Sequence, residues 1–268
     1  MAVLTKTKMP GGHWYKRDGT PVHRMPTSDG SGERATTIRD AKRMGLFPSV
    51  TSILNVLAKP GLEKWKLNQV ALATLRAPKQ EGEGEDYWCN RVRSAAFEQV
   101  EQAADLGSMI HGALEKAMAG EPFDPELAVY VDPVMEWKAS VGIEIVEREL
   151  RLVNADQGFA GMADVFFRYG DNGIGILDYK TRKTKPGEKL RAYDNQALQL
   201  AAYAATYWGE ENIDRVLAAN VFISSTEPGR MDVVKHEALA RDWEAFKLVA
   251  ALWRYQRSYD PRGVRGQA

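Results

Sequence analysis

The chain changes its hydrophobic rhythm once, near Ile143. Before that point apolar residues recur at helical spacing; after it they alternate, as in strands with one buried face. Pro48-Ser49-Val50 opens a first helix with Ser49 as cap, and Pro60-Gly61 breaks it. A second helix is predicted over Leu62 to Leu75, and Lys79 to Glu85 reads as a Gly/Glu linker. Tyr87 to Met118 reads as one long helix or two in tandem, and Pro125 to Ser140 as another. Strands are then expected over Ile143–Val153, Phe159–Arg168 and Ile174–Lys180, a helix over Asp194–Trp208, strands over Arg215–Ser224 and Met231–Glu237, and a last helix over Arg241–Arg257. The predicted fold class is α/β, a mixed central sheet flanked by helices with a helical amino-terminal region.

The first 45 residues are rich in Gly, Pro, Thr and charge. His13 to Lys16 and Pro21 to His23 flank an Asp18-Gly19 turn signal, which predicts a small hairpin, and Thr27 to Glu33 reads as a polar loop. The organisation expected is a basic arm over 1–45, a helical region over 46–142, a core over 143–258 and a frayed Gly/Arg-rich tail over 259–268.

Composition excludes several classes. No 18-residue apolar run occurs, so no membrane span is expected, and Met1 to Gly11 lacks the apolar run of a signal peptide. Cys89 is the single cysteine, which rules out an internal disulfide or a four-cysteine cluster within the chain and fits a reducing, cytoplasmic location. Net charge is zero but unevenly spread. Residues 1–60 hold ten Lys/Arg against four Asp/Glu, and residues 180–191 hold six Lys/Arg against Glu188. Such patches suit a polyanion, although most charge runs are simply solvated.

The chemistry concentrates in Gly158 to Asp164 and Asp178-Tyr179-Lys180. Residues two apart on a strand share a face, so Asp178 and Lys180 point the same way, and a hairpin brings Asp164 beside them. Two carboxylates bind a hard divalent cation, and a neighbouring lysine can orient water or offset charge on a phosphoryl group. His111 and Glu115 lie at i,i+4 on one helix. A lone helical histidine is ordinarily structural, but it is also a common metal ligand. Glu149 falls in the strand before Asp164, and Gln196, Gln199 and Tyr203 share a stripe that could equally be a polar rim. Asp178 and Lys180 could instead form an ion pair on an edge strand, but their apolar neighbours Ile176 and Leu177 mark a buried one.

Gly107xxxHis111, Glu149, Gly161-Met-Ala-Asp164, Asp178-Tyr-Lys180 and Gln199-Leu-Ala-Ala-Tyr203 resemble, in order, the motifs of the PD-(D/E)XK nuclease superfamily. Within it they resemble the RecB-type exonuclease branch, which includes phage nucleases and the mitochondrial genome-maintenance exonuclease. Phe47 to Leu54 with Trp65 downstream is similar to the amino-terminal part of those members, so the likeness spans residues 46–208. It implies a restriction-endonuclease-like core and a Mg²⁺- or Mn²⁺-dependent deoxyribonuclease. The metal would be held by Asp164, Asp178, the Tyr179 carbonyl and His111, with Lys180 catalytic and Glu115, Glu149, Gln199 and Tyr203 in support. Arg182, Lys183, Lys185, Lys189 and Arg191 would meet the DNA, with aromatics such as Trp14, Tyr15 or Trp65 available to stack on bases. Those aromatics can equally be core residues, the preferred reading for Trp65. Several relatives carry an iron–sulfur cluster on four cysteines; with Cys89 alone, this chain resembles the cluster-free members. The substrate implied is single-stranded or end-bearing DNA, in company with replication or recombination proteins and, for a phage member, inside a bacterial host. A structure-specific endonuclease and a non-catalytic DNA-binding accessory protein are the alternatives.

Overall fold

The computed structural model describes residues 13–263. The expectations for Met1 to Gly11 and for the last residues of the tail lie outside them. Five strands form one mixed sheet: β5 (Glu144–Asn154), β6 (Phe159–Tyr169), β7 (Gly173–Arg182), β8 (Val216–Ser224) and β9 (Met231–His236), in that spatial order. All neighbours are antiparallel except β7 and β8, which run parallel across the connection that contains α6 (Asp194–Trp208). The protein is thus mixed α/β, with helices on both sheet faces.

One face buries Ala163, Phe166 and Ile176 against Leu200, Ala201 and Ala204 of α6 and Trp243 and Phe246 of α7 (Leu239–Arg257). The other buries Val165, Phe167, Leu177 and Val221 under Ile110 and Leu114 of α4 (Glu85–Ala119) and Val131 and Val134 of α5 (Ala128–Ser140). Strands β6 and β7 are covered on both faces, which explains their long apolar runs. The helix predicted from Tyr87 is a single 35-residue element, α4, despite Gly107 and Gly112.

The amino-terminal segment is more ordered than its composition predicts. Strand β1 (Trp14–Tyr15) turns back through Tyr15–Pro21 bridging, as expected, but its main partner is β4 (Phe47–Pro48). The stretch expected to be a loop is the turn of a second hairpin, β2 (Arg24–Pro26) with β3 (Glu33–Ala35). A helix not expected, α1 (Ile38–Met44), is started by a Thr37–Asp40 capping box and ended by Gly45 at φ 66°. Helix α2 (Val50–Leu54) has Ser49 as its cap, as read from the sequence. Pro60 does more than break that helix: it is the first residue of α3 (Pro60–Arg76), a position where its missing N–H costs nothing.

Trp14 and Tyr15 are core residues, unable to stack on a base. Trp14 packs its ring 6.1 Å from that of Trp253, and Tyr259 Oη donates to the carbonyls of Ala41 and Leu46. The carboxy-terminal end of the described chain is thereby tied to the segment before α2. Trp65, expected inside, is 40% exposed and rests against Phe97 in the separate small α3–α4 cluster. Among the described residues no helix is long and apolar enough to cross a membrane.

Candidate metal centre

Strands β6 and β7 pair only from Tyr169↔Gly173 to Val165↔Leu177. Beyond Val165, β6 stays with β5, while β7 continues alongside β8 as far as Arg182. The two strands therefore part at Asp164 and Asp178. Asp164 Oδ2 accepts the Tyr179 N–H at 2.8 Å, so a side chain replaces the ladder bond that the parting removes.

Glu149 lies across β5–β6 from Asp164, between the registered pairs Arg148↔Val165 and Leu150↔Ala163. Two carboxylates opposite each other repel, and Glu149 also holds a left-handed backbone, φ 46°, rare for a residue with a side chain. Helix α4 adds His111. Its Nε2 is 3.3 Å from Asp164 Oδ2 and 3.4 Å from Glu149 Oε1, yet it is buried and in hydrogen-bond geometry with neither.

Ligand atoms of His111, Glu149 and Asp164 all fall within 4.8 Å of one another. They line a cavity of about 10 Å³ together with Glu115, Met118, Arg148, Val165 and Tyr179. That is the size of one water or one small ion. Two carboxylates, an imidazole whose buried nitrogen has no hydrogen bond, and an ion-sized space fit a divalent cation of the Mg²⁺ or Mn²⁺ kind.

Proton affinities follow from this crowding. Asp164, the nearest acceptor, raises His111 to about 9 against the opposing effect of burial, and Glu149 adds to the rise. Burial, then the Asp164 charge, pushes Glu149 up to about 7. Burial and Asp164 also push Asp178 above the usual carboxylate range, partly offset by Lys180 and Asn220. Burial lowers the Lys180 ammonium pKa, but the charges of Asp178 and Asp164 outweigh it and the net shift is upward. A bound cation would compete with the protons on His111 and Glu149.

Asp178 is 4% exposed and fully engaged. Its Oδ1 accepts from Lys180 Nζ at 2.6 Å and Gln199 Nε2 at 3.3 Å, and its Oδ2 from Asn220 Nδ2 at 2.7 Å. Asn220 is wholly buried, faces Asp178 in the β7–β8 register, and pairs through Oδ1 with His236 Nε2 at 2.8 Å. Neither Asn220 nor His236 carries a motif, and only the strand register reveals them. Asp178 and Lys180 share one side of β7, next to the three-ligand cluster; Asp178 makes its contacts with α6 and β8 and is outside that cluster.

The remaining candidates fall around this centre. Tyr179 is buried, its Oη on Met118 Sδ. Glu115 is exposed at the cavity rim, its carbonyl held by Arg148 Nη1. Tyr203 packs over Gly161, whereas Gln196 is used at the start of α6, accepting the Tyr193 N–H. Gly107 meets Thr181, bringing α4 against the end of β7.

The loop after β7 is built rather than loose. Thr184 exchanges backbone and hydroxyl bonds with Thr226 and Ser224, and Arg230 donates to the carbonyls of Lys185 and Glu188. Arg182 helps to hold it, donating to the Arg191 carbonyl and lying over the Tyr193 ring. Lys183, Lys185, Lys189 and Arg191 are exposed.

No family model and no curated protein matches the chain. Among solved structures, it is similar to one described as the crystal structure of SSO0001, at 16% identity and a TM-score of 0.35, over 74% of this chain and 87% of that one.

Proposed function

We propose that this protein is a Mg²⁺- or Mn²⁺-dependent deoxyribonuclease, a RecB-type member of the PD-(D/E)XK superfamily, acting as an exonuclease on single-stranded or end-bearing DNA. The observation that carries the reading is the convergence of His111, Glu149 and Asp164 within 4.8 Å where β6 and β7 part, with Lys180 and Asp178 on the adjoining strand.

His111, Glu149 and Asp164 would hold the cation, and Asp178 and the Tyr179 carbonyl are the further groups that the resemblance implies. Bound there, a divalent cation polarises a phosphoryl oxygen and makes water more acidic. Lys180 keeps its proton beside Asp178 and would orient the attacking water or offset charge on the phosphoryl group. Asn220 and Gln199 hold Asp178, and through it Lys180, in one orientation. The lysines of the 183–189 loop would grip the backbone next to this centre.

The test is cleavage of linear and covalently closed circular DNA, single- and double-stranded, with Mg²⁺, Mn²⁺ or chelator. Release of short products from linear DNA alone, abolished by chelator, is expected. Cutting of closed circles would make the protein an endonuclease. No metal-supported cleavage of any substrate would remove the nuclease reading.

A further inference from the structure

The sheet face that carries the candidate metal centre continues past it into an open cleft. Leu150 and Leu152 of β5 pack toward α6, as do their cross-strand neighbours Ala163 and Gly161. By strand alternation the pair between them, Arg151↔Met162, stands on the opposite face, in the row beside Glu149 and Asp164. Helix α4 covers Val165 and the sheet beyond it but leaves this row bare: Met162 is 39% exposed, and Arg151 is exposed too. Among the described residues, no ion pair or hydrogen bond is made by the Arg151 guanidinium.

The far wall of the cleft is the amino-terminal hairpin. Its turn closes through Lys16 N–H to the Thr20 carbonyl, and a Cβ placed on Gly19 would lie 3.7 Å from Arg151 Cβ and 3.9 Å from Val153 Cγ2. The turn therefore sits on the same face, against the stem of Arg151 and Val153. It contributes Lys16 and Arg17 as exposed cations, while the carboxylate of Asp18 is directed back onto the Thr20 N–H. From metal centre to turn, the order is two carboxylates with an imidazole, then an arginine beside a methionine, then a basic turn.

We propose that this cleft seats a single nucleic-acid strand, with Arg151 gripping the phosphate next to the one at the metal centre. Met162 lies under the sugar or base between them. The proposal rests on the nuclease reading for what occupies the centre. Two residues along a strand span about 7 Å, which is on the scale of one step along an extended nucleic-acid backbone. A guanidinium suits a phosphate through paired donors, and a thioether is an adaptable apolar floor. The 183–189 loop follows the end of β7 and would supply a second grip beside the same centre.

The experiment is binding of a labelled single-stranded oligonucleotide across a salt series, in chelator so that nothing is cut. The proteins are wild type, Arg151→Gln, Met162→Glu and, as control, Lys235→Gln on β9 at the other sheet edge. Arg151→Gln should weaken binding about tenfold at low salt and reduce the salt slope of log K by about 0.7. Met162→Glu should also weaken binding, and Lys235→Gln should match wild type. Thermal melts check that the fold is kept. Wild-type affinity and slope in Arg151→Gln would overturn the proposal, as would a wild-type protein that binds no DNA. The same preparations are then given Mn²⁺ and linear DNA. Arg151-dependent binding without cleavage would leave the cleft standing and remove the nuclease reading. Cleavage with Arg151-independent binding would do the reverse.

Discussion

Tyr203 lies directly on Gly161: a Cβ added to that glycine would be 2.4 Å from Tyr203 Oη and 2.8 Å from its Cε1. Two sequence motifs 42 residues apart thus meet as one packing contact beside the candidate metal centre. Gly161→Ala should destabilise the protein by about 1–3 kcal/mol, the usual cost of overpacking. In a Tyr203→Leu background, which removes the ring, the same change should cost less. Denaturant melts of the four proteins measure this coupling; equal costs in both backgrounds would show that the contact is not what requires glycine.

Lys180 Nζ is 2.6 Å from Asp178 Oδ1. Lys180→Ala should slow cleavage on the order of a hundredfold or more if the ammonium stabilises charge in the transition state, while DNA affinity in chelator changes little. Single-turnover rates at saturating protein provide the measurement. Normal turnover would remove Lys180 from the chemistry.

His111→Ala should weaken Mn²⁺ binding about tenfold or more, as loss of a metal-site group does. Calorimetric titration of Mn²⁺ into wild type and variant reads this without reference to activity. Matching isotherms would return His111 to a purely structural role.

Replacing Lys183, Lys185 and Lys189 together with Gln should lower the salt slope for single-stranded DNA by about 2 in total and weaken binding alike on all sequences. Thermal stability should hardly move, because exposed charges contribute little. An unchanged slope would mean that these lysines are only solvated.

Much of the centre is legible in the amino-acid sequence. The alternation in β5, β6 and β7 marks strands, and Asp178-x-Lys180 puts two charged groups on one side of a strand regardless of what lies around it. Glu149 reads from sequence only as a supporting group, because its alignment with Asp164 depends on the β5–β6 register, which has an irregularity at Ile145/Glu147. Asn220 and His236 are invisible there for a related reason: an asparagine in an apolar strand says nothing until a parallel partner 42 residues earlier sets it opposite Asp178. Trp14 and Tyr15 read as available because a two-residue strand has no period, and its partner Phe47–Pro48 lies more than thirty residues on. Trp65 reads as core from its helical setting, but α3 packs only on α4 in a small satellite cluster that leaves the ring half open. Helix α1 is seven residues long, too short for a periodic signal among the glycines and threonines before it.

Asp40 sets an acid limit to stability. Its buried carboxylate meets both terminal nitrogens of Arg34, at 2.6 and 3.0 Å, and accepts from Thr37. Arg34, with Thr37 assisting against burial, holds it well below the usual carboxylate range. A depressed folded-state pKa stabilises above the unfolded value, near 4, and that contribution fades as pH falls through the folded value. Asp40→Asn should therefore be less stable than wild type at neutral pH, with the gap narrowing progressively below about pH 4. Urea melts from pH 7 to pH 2 would show it; a gap independent of pH would mean that Asp40 contributes through shape rather than charge.

The most direct test of the metal-centre account is end-labelled single-stranded DNA incubated with Mn²⁺, comparing wild type with Asp164→Asn, which keeps the shape of the side chain but loses its charge. Asp164 stands nearest to His111, Glu149 and the Tyr179 N–H together. Progressive shortening by wild type is expected, with none in chelator and none by Asp164→Asn even though that protein is folded and still binds the oligonucleotide. Cleavage by Asp164→Asn at the wild-type rate, or wild-type cleavage that survives chelator, would contradict the account.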